Sequence, residues 1–218
     1  DSRENPPNYD DILPYCESVH TGSFETPLLD QCDYLWVSPG IAIATPELQP
    51  TISRLPKNHV GGDIELFARL VGEKIIGITG TNGKSTVTTL VGSIFQAAGY
   101  DLYMGGNLGT PALDLWQAYC DRPLEEQREP LFLLELSSFQ LETTDSLQAD
   151  IGVILNISPD HLDRYRNYEH YIESKLRLFP QSKAIIVPRG EPHIEEYLQK
   201  TGQKALYFAL FSEEGEDI

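Results

Sequence analysis

Lys74-Ile-Ile-Gly-Ile-Thr-Gly-Thr-Asn-Gly-Lys-Ser-Thr86 is the segment from which the rest of the chain can be read. Residues 74–79 are a short apolar run of the kind a buried strand needs. Gly80-Thr81-Asn82-Gly83 interrupts it. From Lys84 onward Val87, Leu90, Val91, Ile94, Phe95 and Ala98 recur at helical spacing until Gly99 supplies a stop. Strand, glycine turn and helix in this order aim the unpaired N–H groups of the first helical turn at the loop, where the helix dipole adds partial positive charge. Glycines 80 and 83 let the backbone approach an anion closely. Lys84 has the reach for the β- and γ-phosphates of a nucleotide, and the Ser85 hydroxyl suits magnesium. The spacing departs from the strict phosphate-loop pattern, whose first glycine would fall at Ile78, whereas this chain has Gly77 and Gly80. A glycine turn that merely caps a helix is the plain alternative. The coincidence of strand, loop, Gly-Lys-Ser and helix weighs against it.

Downstream, residues 131–136, 151–155 and 184–187 read as further buried strands and 207–211 as a last one, with a helix over about 168–178. Upstream, 34–37 is a short strand followed by the turn Ser38-Pro39-Gly40, and a helix covers about 63–71. Apolar strands alternating with helices predict an α/β fold whose mainly parallel sheet is covered on both faces. Two domains follow. Residues 1–72 have the pattern of the back portion of a smaller α/β domain lacking its first strand, and residues 73–218 form the second. The acidic residues 212–217 read as a solvated loop, and the chain as a fragment.

Three further side chains stand out, the first two at the strand-end edge and the third on a helix. Glu135 interrupts an apolar strand near its C-terminal end, where a buried carboxylate is costly unless something cationic meets it. Open α/β sheets place ligands at that edge, the same one as the Gly80 loop, so a metal beside phosphates competes with a structural hydrogen bond as the explanation. His161 follows the strand 151–155 by a short loop and falls on the same edge; an ordinary structural histidine is its alternative. Lys175 shares a helical face with Tyr168, Tyr171, Ile172 and Phe179. On periodicity alone it reads as a lysine whose stem covers apolar surface while its amine snorkels to water.

The formal net charge of -17 argues against a broad electrostatic grip on nucleic acid or an anionic membrane. It leaves room for a small anionic ligand held by local amides, lysines and metal ions. Cys16, Cys32 and Cys120 lie far apart without redox or metal-type spacing. They are expected to be buried, inert thiols of a reducing compartment. No signal peptide or long apolar run is visible, which predicts a cytoplasmic protein.

Together these motifs resemble the Mur ligases, and within that family the branch that adds D-glutamate. The stretches that carry the resemblance are Ser38-Pro-Gly-Ile-Ala42, Gly62-Asp-Ile-Glu-Leu-Phe67, the segment Gly80 to Gly92, and Gly105-Gly-Asn-Leu-Gly109. Leu134-Glu-Leu-Ser-Ser-Phe-Gln-Leu-Glu142, Leu155-Asn156, Asp160-His-Leu-Asp-Arg-Tyr165 and Lys175-Leu-Arg177 continue it. They follow in the family's order and cover nearly the whole chain to about Val187. Gly-Thr-Asn-Gly-Lys alone identifies only a broader superfamily that includes folylpolyglutamate-synthase-like ligases.

The resemblance implies a P-loop-type central ATPase domain preceded by part of a Rossmann-like UDP-binding domain. It implies that ATP phosphorylates the carboxylate of UDP-N-acetylmuramoyl-L-alanine and that the amine of D-glutamate displaces the phosphate. Gly80, Thr81, Asn82, Gly83, Lys84, Ser85 and Thr86 then match ATP positions. Ser85, Glu135, His161 and Lys175 match groups around magnesium (Mg2+), with two sites expected and Lys175 carried as a carbamate. Lys84, His161 and Lys175 are the implied catalytic set. Asn107, Ser137 and Gln140 match positions near the muramoyl substrate, Ser2 and Arg3 the uracil side, and Ser38 and Gly40 the diphosphate side. A monomer with neither nucleic-acid nor membrane-inserted partners is implied. So are a first strand before Asp1 and a C-terminal domain after Ile218 that brings the D-glutamate contacts. A nucleotide-binding module without catalysis is the reading from a different class.

Overall fold

The computed structural model of the protein describes residues 3–24 and 26–209. It falls into two compact units, Asp1–Gly61 and Gly62–Ile218.

In the first unit the helices α1 (Tyr9–Ile12), α2 (Thr26–Gln31) and α3 (Gln49–Arg54) accompany two short strands, β1 (Leu35–Trp36) and β2 (Val60–Gly61). The strands pair in parallel, Leu35 opposite Val60 and Trp36 opposite Gly61. The Arg54 guanidinium closes the unit by donating to the carbonyls of Leu29 (3.1 Å) and Cys32 (2.7 Å). The strand expected at 34–37 is present in this shortened form.

The second unit runs α4 (Asp63–Leu70), β3 (Lys74–Thr79), α5 (Lys84–Ala97), β4 (Asp101–Gly106), α6 (Ala112–Cys120), β5 (Pro130–Glu135) and α7 (Ser138–Glu142). It continues with β6 (Ala149–Ile154), α8 (Tyr168–Leu176), β7 (Ser182–Pro188), α9 (Pro192–Thr201) and β8 (Leu206–Phe208). The sheet order is β4-β5-β3-β6-β7-β8, with every neighbouring pair parallel. Part of the strand expected at 207–211 is therefore present; Phe211 and the acidic residues 212–217 lie outside the described residues.

Side-chain alternation divides the core. Ile75, Phe132 and Leu134 face one layer, closed by Ile64 and Phe67 of α4 and Leu115 of α6. Ile76, Ile78, Leu131 and Leu133 face the other, under Val87, Val91 and Phe95 of α5. The period of two is what a sheet covered on both faces requires. The connection leaving β3 crosses to β4 on one side, while that leaving β6 goes to β7 on the other. The strand order thus reverses between β3 and β6, and the loops that follow these two strands border the crevice where doubly wound sheets bind ligands.

Glu65 of α4 shows how the segment after α7 is held in place. This carboxylate is 2% exposed. Its Oε2 accepts the N–H groups of Asp145 (2.7 Å) and Ser146 (2.9 Å), while Oε1 accepts Ser146 Oγ (2.7 Å) and Arg69 Nε (2.8 Å). Burial alone raises the Glu65 pKa, but the Asp145 and Ser146 bonds and Arg69 outweigh it and hold the group below the usual carboxylate range. A depressed folded pKa means stability that is present above the unfolded value and lost as pH falls from there through the lowered folded value. Glu65→Ala is expected to lower stability by about 3 kcal/mol at neutral pH, because it orphans several buried donors at once. The deficit relative to the parent is expected to shrink on acidification, which urea unfolding at a series of pH values measures.

The three cysteines are free, but Cys16 and Cys120 are exposed and Cys32 half-buried, which corrects the expectation of buried thiols. Cys16 follows the exposed turn Leu13–Tyr15 and Cys120 ends α6, and neither position is covered by an apolar layer. Among the described residues no helix is long and apolar enough to cross a membrane.

Candidate phosphate and metal site

The Gly80 loop is fixed at both ends. β3 delivers the chain at Thr79, and Gly83 turns it into α5 with φ of 79°, a conformation that favours glycine. The loop after β6 lies alongside. Thr81 N–H donates to the Asn156 carbonyl (3.0 Å), and the Asn156 side chain bonds both the N–H and the carbonyl of Asn82. The Thr81 hydroxyl accepts from Ser158 N–H (3.0 Å) and meets the Tyr171 hydroxyl of α8 at 2.8 Å. The first-turn N–H groups of α5, those of Lys84, Ser85 and Thr86, have no partner within the helix and open toward this rim. Ser85 and Thr86 are exposed.

Two lysines converge on one oxygen. Lys84 Nζ donates to the carbonyls of Gly80 and Thr81, each at 3.0 Å. Lys175 Nζ, arriving from α8, donates to the same Gly80 carbonyl at 2.9 Å and lies 4.8 Å from the centre of the Tyr171 ring. Lys175 is 2% exposed, so its amine does not snorkel to water, and the expectation drawn from periodicity is corrected. A helical wheel gives a side chain's direction but not what its tip meets. Burial, with the Lys84 charge adding to it, pushes the Lys175 amine down to about 7. Two amines at one carbonyl oxygen repel each other when both are charged, so the arrangement favours an anion beside them.

Glu135 presents the opposite demand. It ends β5 in register with Ile78 of β3 and Gly106 of β4, which places it at the rim from which the loop departs. It is 2% exposed. Oε1 accepts Asn107 Nδ2 at 2.7 Å, and Asn107 N–H donates to the Glu135 carbonyl at 2.8 Å. Oε2 is buried without a partner. Gly106 makes this possible, since a Cβ there would come within 2.5 Å of the Glu135 carbonyl oxygen. A buried, unsatisfied carboxylate oxygen costs about 1–3 kcal/mol or more, and a cation removes the cost.

His161 stands on the loop after β6 with φ of 50°, uncommon for a residue with a side chain and a sign of local constraint. Its ring packs 4.9 Å from Phe139, and Nε2 lies 3.4 Å from Asp160 Oδ2. Ser137 caps α7 and shares a capping box with Gln140, whose amide also donates to Asp63 Oδ2 at 2.9 Å. Gln140 is 3% exposed, so its polar atoms serve that cap rather than an open surface. Arg3, Ser38 and Gly40 belong to the first unit, where the Ser38 carbonyl accepts Ile41 N–H in a turn and the Arg3 carbonyl accepts Gly22 N–H. Ser2 lies outside the described residues. The sequence alone assigns no role to Asn156 or Tyr171; the one signal for Asn156 is a lone carboxamide directly after a buried strand.

Among the described residues no group of three His, Cys, Asp or Glu side chains is placed to hold a metal. A metal at Glu135 therefore needs oxygens from elsewhere, such as Ser85 and nucleotide phosphates. A cavity of about 580 Å³ lies at the other end of the strands, but its lining cations are paired, Lys74 with Glu129 and Lys183 with Asp150, each at 2.8 Å. It makes no comparable demand for a ligand.

Residues 78–218 match the Mur ligase middle domain, and residues 1–55 the Mur ligase MurD-like N-terminal domain. The UDP-N-acetylmuramoylalanine–D-glutamate ligase of Pseudomonas fluorescens is 46% identical over 96% of this chain, and that of Pseudomonas syringae pv. syringae 48% over 96%. The chain spans 45% of the length of each. Among solved structures, the UDP-N-acetylmuramate:L-alanyl-gamma-D-glutamyl-meso-diaminopimelate ligase of Neisseria meningitides superposes with a TM-score of 0.58 at 17% identity, covering 96% of this chain and 68% of that one. A UDP-N-acetylmuramoyl-L-alanyl-D-glutamate–2,6-diaminopimelate ligase gives 0.51 at 27% identity, covering 66% and 33%.

Proposed function

Because the chain belongs to the Mur ligase family, we propose that the protein joins D-glutamate to UDP-N-acetylmuramoyl-L-alanine in an ATP-dependent reaction through an acyl phosphate. The observation that carries this reading is the pair of opposite unmet demands at one sheet rim. Two amines converge on the Gly80 carbonyl, and a buried carboxylate oxygen of Glu135 lacks a partner. A magnesium nucleotide answers both. The curated relatives of nearly half sequence identity supply the substrate pair.

In this reading the first-turn amides of α5 and Lys84 hold the β- and γ-phosphates. A carboxylate oxygen of the muramoyl substrate attacks the γ-phosphorus and ADP leaves. The D-glutamate nitrogen then attacks the acyl carbon, inorganic phosphate departs, and the nitrogen loses its proton as the amide forms. Both reactants of the first step are anions, so charge neutralisation and positioning carry most of the catalysis. The orphaned Glu135 Oε2 fits a divalent cation, with Ser85, His161 and a carbamate on Lys175 as further candidate ligands. Magnesium there supplies compensation for the charge that builds on the transferred phosphoryl group. An amine buried beside Tyr171 and depressed to about 7 is neutral often enough near neutral pH to add to carbon dioxide, losing a proton and becoming an anion. Asn107, Ser137 and Gln140 are proposed for the muramoyl side, and Ser2, Arg3, Ser38 and Gly40 for the uracil and diphosphate. We assign the protein to the cytoplasm as a monomer.

Incorporation of isotope-labelled amino acids by the full-length protein tests the assignment. D-glutamate is expected to be incorporated in preference to L-alanine, a diamino acid or a dipeptide. Preference for any of these, or for a folate acceptor, would overturn it.

A further inference from the structure

β6 ends at Ile154, yet its pairing with β3 continues for three more rungs. Leu155 N–H donates to the Thr79 carbonyl (2.9 Å), and the Asn156 carbonyl accepts Thr81 N–H (3.0 Å). The last rung is made by a side chain. Asn156 Oδ1 accepts Asn82 N–H at 2.8 Å, and Asn156 Nδ2 donates to the Asn82 carbonyl at 2.9 Å. A carboxamide carries the same donor and acceptor as a peptide group, so it substitutes for the residue that β6 does not provide once the backbone turns away.

We propose that Asn156 is a positioning residue of the phosphate loop, whose side-chain amide orients the Asn82–Gly83 peptide toward bound phosphate. The inference rests on the reading of this loop as the nucleotide site. Across a trans peptide the C=O of one residue and the N–H of the next point in opposite directions. With the Asn82 carbonyl held by Asn156, the Gly83 N–H must point away from β6, into the mouth of the loop. It thereby joins the first-turn amides of Lys84, Ser85 and Thr86. The N–H groups of Thr81 and Asn82 are used by Asn156 and are removed from phosphate binding. Gly83 at φ of 79° is the conformation this orientation imposes. Asn156 also sits at the start of the loop that carries His161, so the same residue ties that loop to the Gly80 loop.

The test is calorimetry with magnesium-ADP on the full-length protein and its Asn156→Ala and Asn156→Asp variants, with thermal unfolding measured without nucleotide. Asn156→Ala is expected to weaken magnesium-ADP binding at least tenfold while moving the nucleotide-free Tm by no more than about 4 °C, the shift a loss near 1 kcal/mol gives. Asn156→Asp keeps the acceptor for Asn82 N–H but sets an oxygen against the Asn82 carbonyl, so its affinity is expected to fall at least as far. In turnover assays the KM for ATP is expected to rise and that for the carboxylate substrate to stay unchanged. Wild-type affinity in Asn156→Ala would overturn the proposal. So would a large Tm loss in both variants with every ligand weakened alike, because that marks a residue needed only for the fold. Failure of the unaltered protein to bind magnesium-ADP would remove the phosphate-loop reading itself.

Discussion

Lys175→Met in the full-length protein is expected to abolish measurable ligation, a loss of about a thousandfold or more in kcat, while leaving the fold intact. The scale follows from removing one preorganised charged group at a site of charge development. Methionine fills much of the same volume and adapts to irregular gaps, so the variant isolates the amine from the stem. The expected sign on stability is opposite to that on activity. Lys175 has a folded pKa near 7, below the unfolded value of about 10. The fold therefore binds fewer protons than the unfolded chain, and parent stability declines as pH falls from about 10 to about 7. In nucleotide-free, carbon-dioxide-free buffer, the stability of Lys175→Met relative to the parent is expected to rise over that window and then level off. Labelled bicarbonate is expected to trap a carbamate on the parent above neutral pH and not on the variant. Wild-type turnover in Lys175→Met would mean that the buried amine takes no part in ligation.

Glu135→Gln is expected to lower kcat by about a hundredfold to a thousandfold and to raise the magnesium concentration needed for half-maximal rate. A glutamine can still accept from Asn107, so that contact persists. What disappears is the negative charge proposed to meet the metal. Without nucleotide or metal the variant is expected to be more stable than the parent by about 1–2 kcal/mol, because a buried carboxylate oxygen without a partner is replaced by a neutral amide. Guanidinium unfolding and initial-rate measurements on the same preparation read both effects. A variant that is less stable and fully active would mean that Glu135 is a structural hydrogen bonder.

The fold was legible wherever burial imposed a simple period. The strand expected at 74–79 is β3, residues 131–136 differ from β5 by one position, and the helix opening at Lys84 is α5. β4 is illegible in the sequence because it is a half-buried edge strand bounded by Asp101 and Gly105-Gly106, with only the three-residue run Leu102-Tyr103-Met104 and no β-branched residue. α7, with five residues, is too short for a helical period to register. At the site, Gly80 to Lys84 and Glu135 could be found because each breaks a pattern: a glycine turn in a strand-to-helix passage, and a charge in an apolar strand. Lys175 was visible as an anomaly, but the burial of its amine depends on where α8 lies against the Gly80 loop, which is tertiary information. Asn156 and Tyr171 act through contacts 74 and 90 residues away, and local sequence carries no trace of those partners.

We propose that amides, amines and a carboxylate at one rim of the parallel sheet surround a metal-bound triphosphate. A crystal structure of the full-length protein with a non-hydrolysable ATP analogue and magnesium tests it most directly. The expected density has the β- and γ-phosphates against the N–H groups of Gly83 to Thr86, Lys84 Nζ on a phosphate oxygen, and a metal bonded to Glu135 Oε2. Nucleotide bound elsewhere, with Lys84 still folded onto Gly80 and Glu135 Oε2 facing no ion, would contradict it.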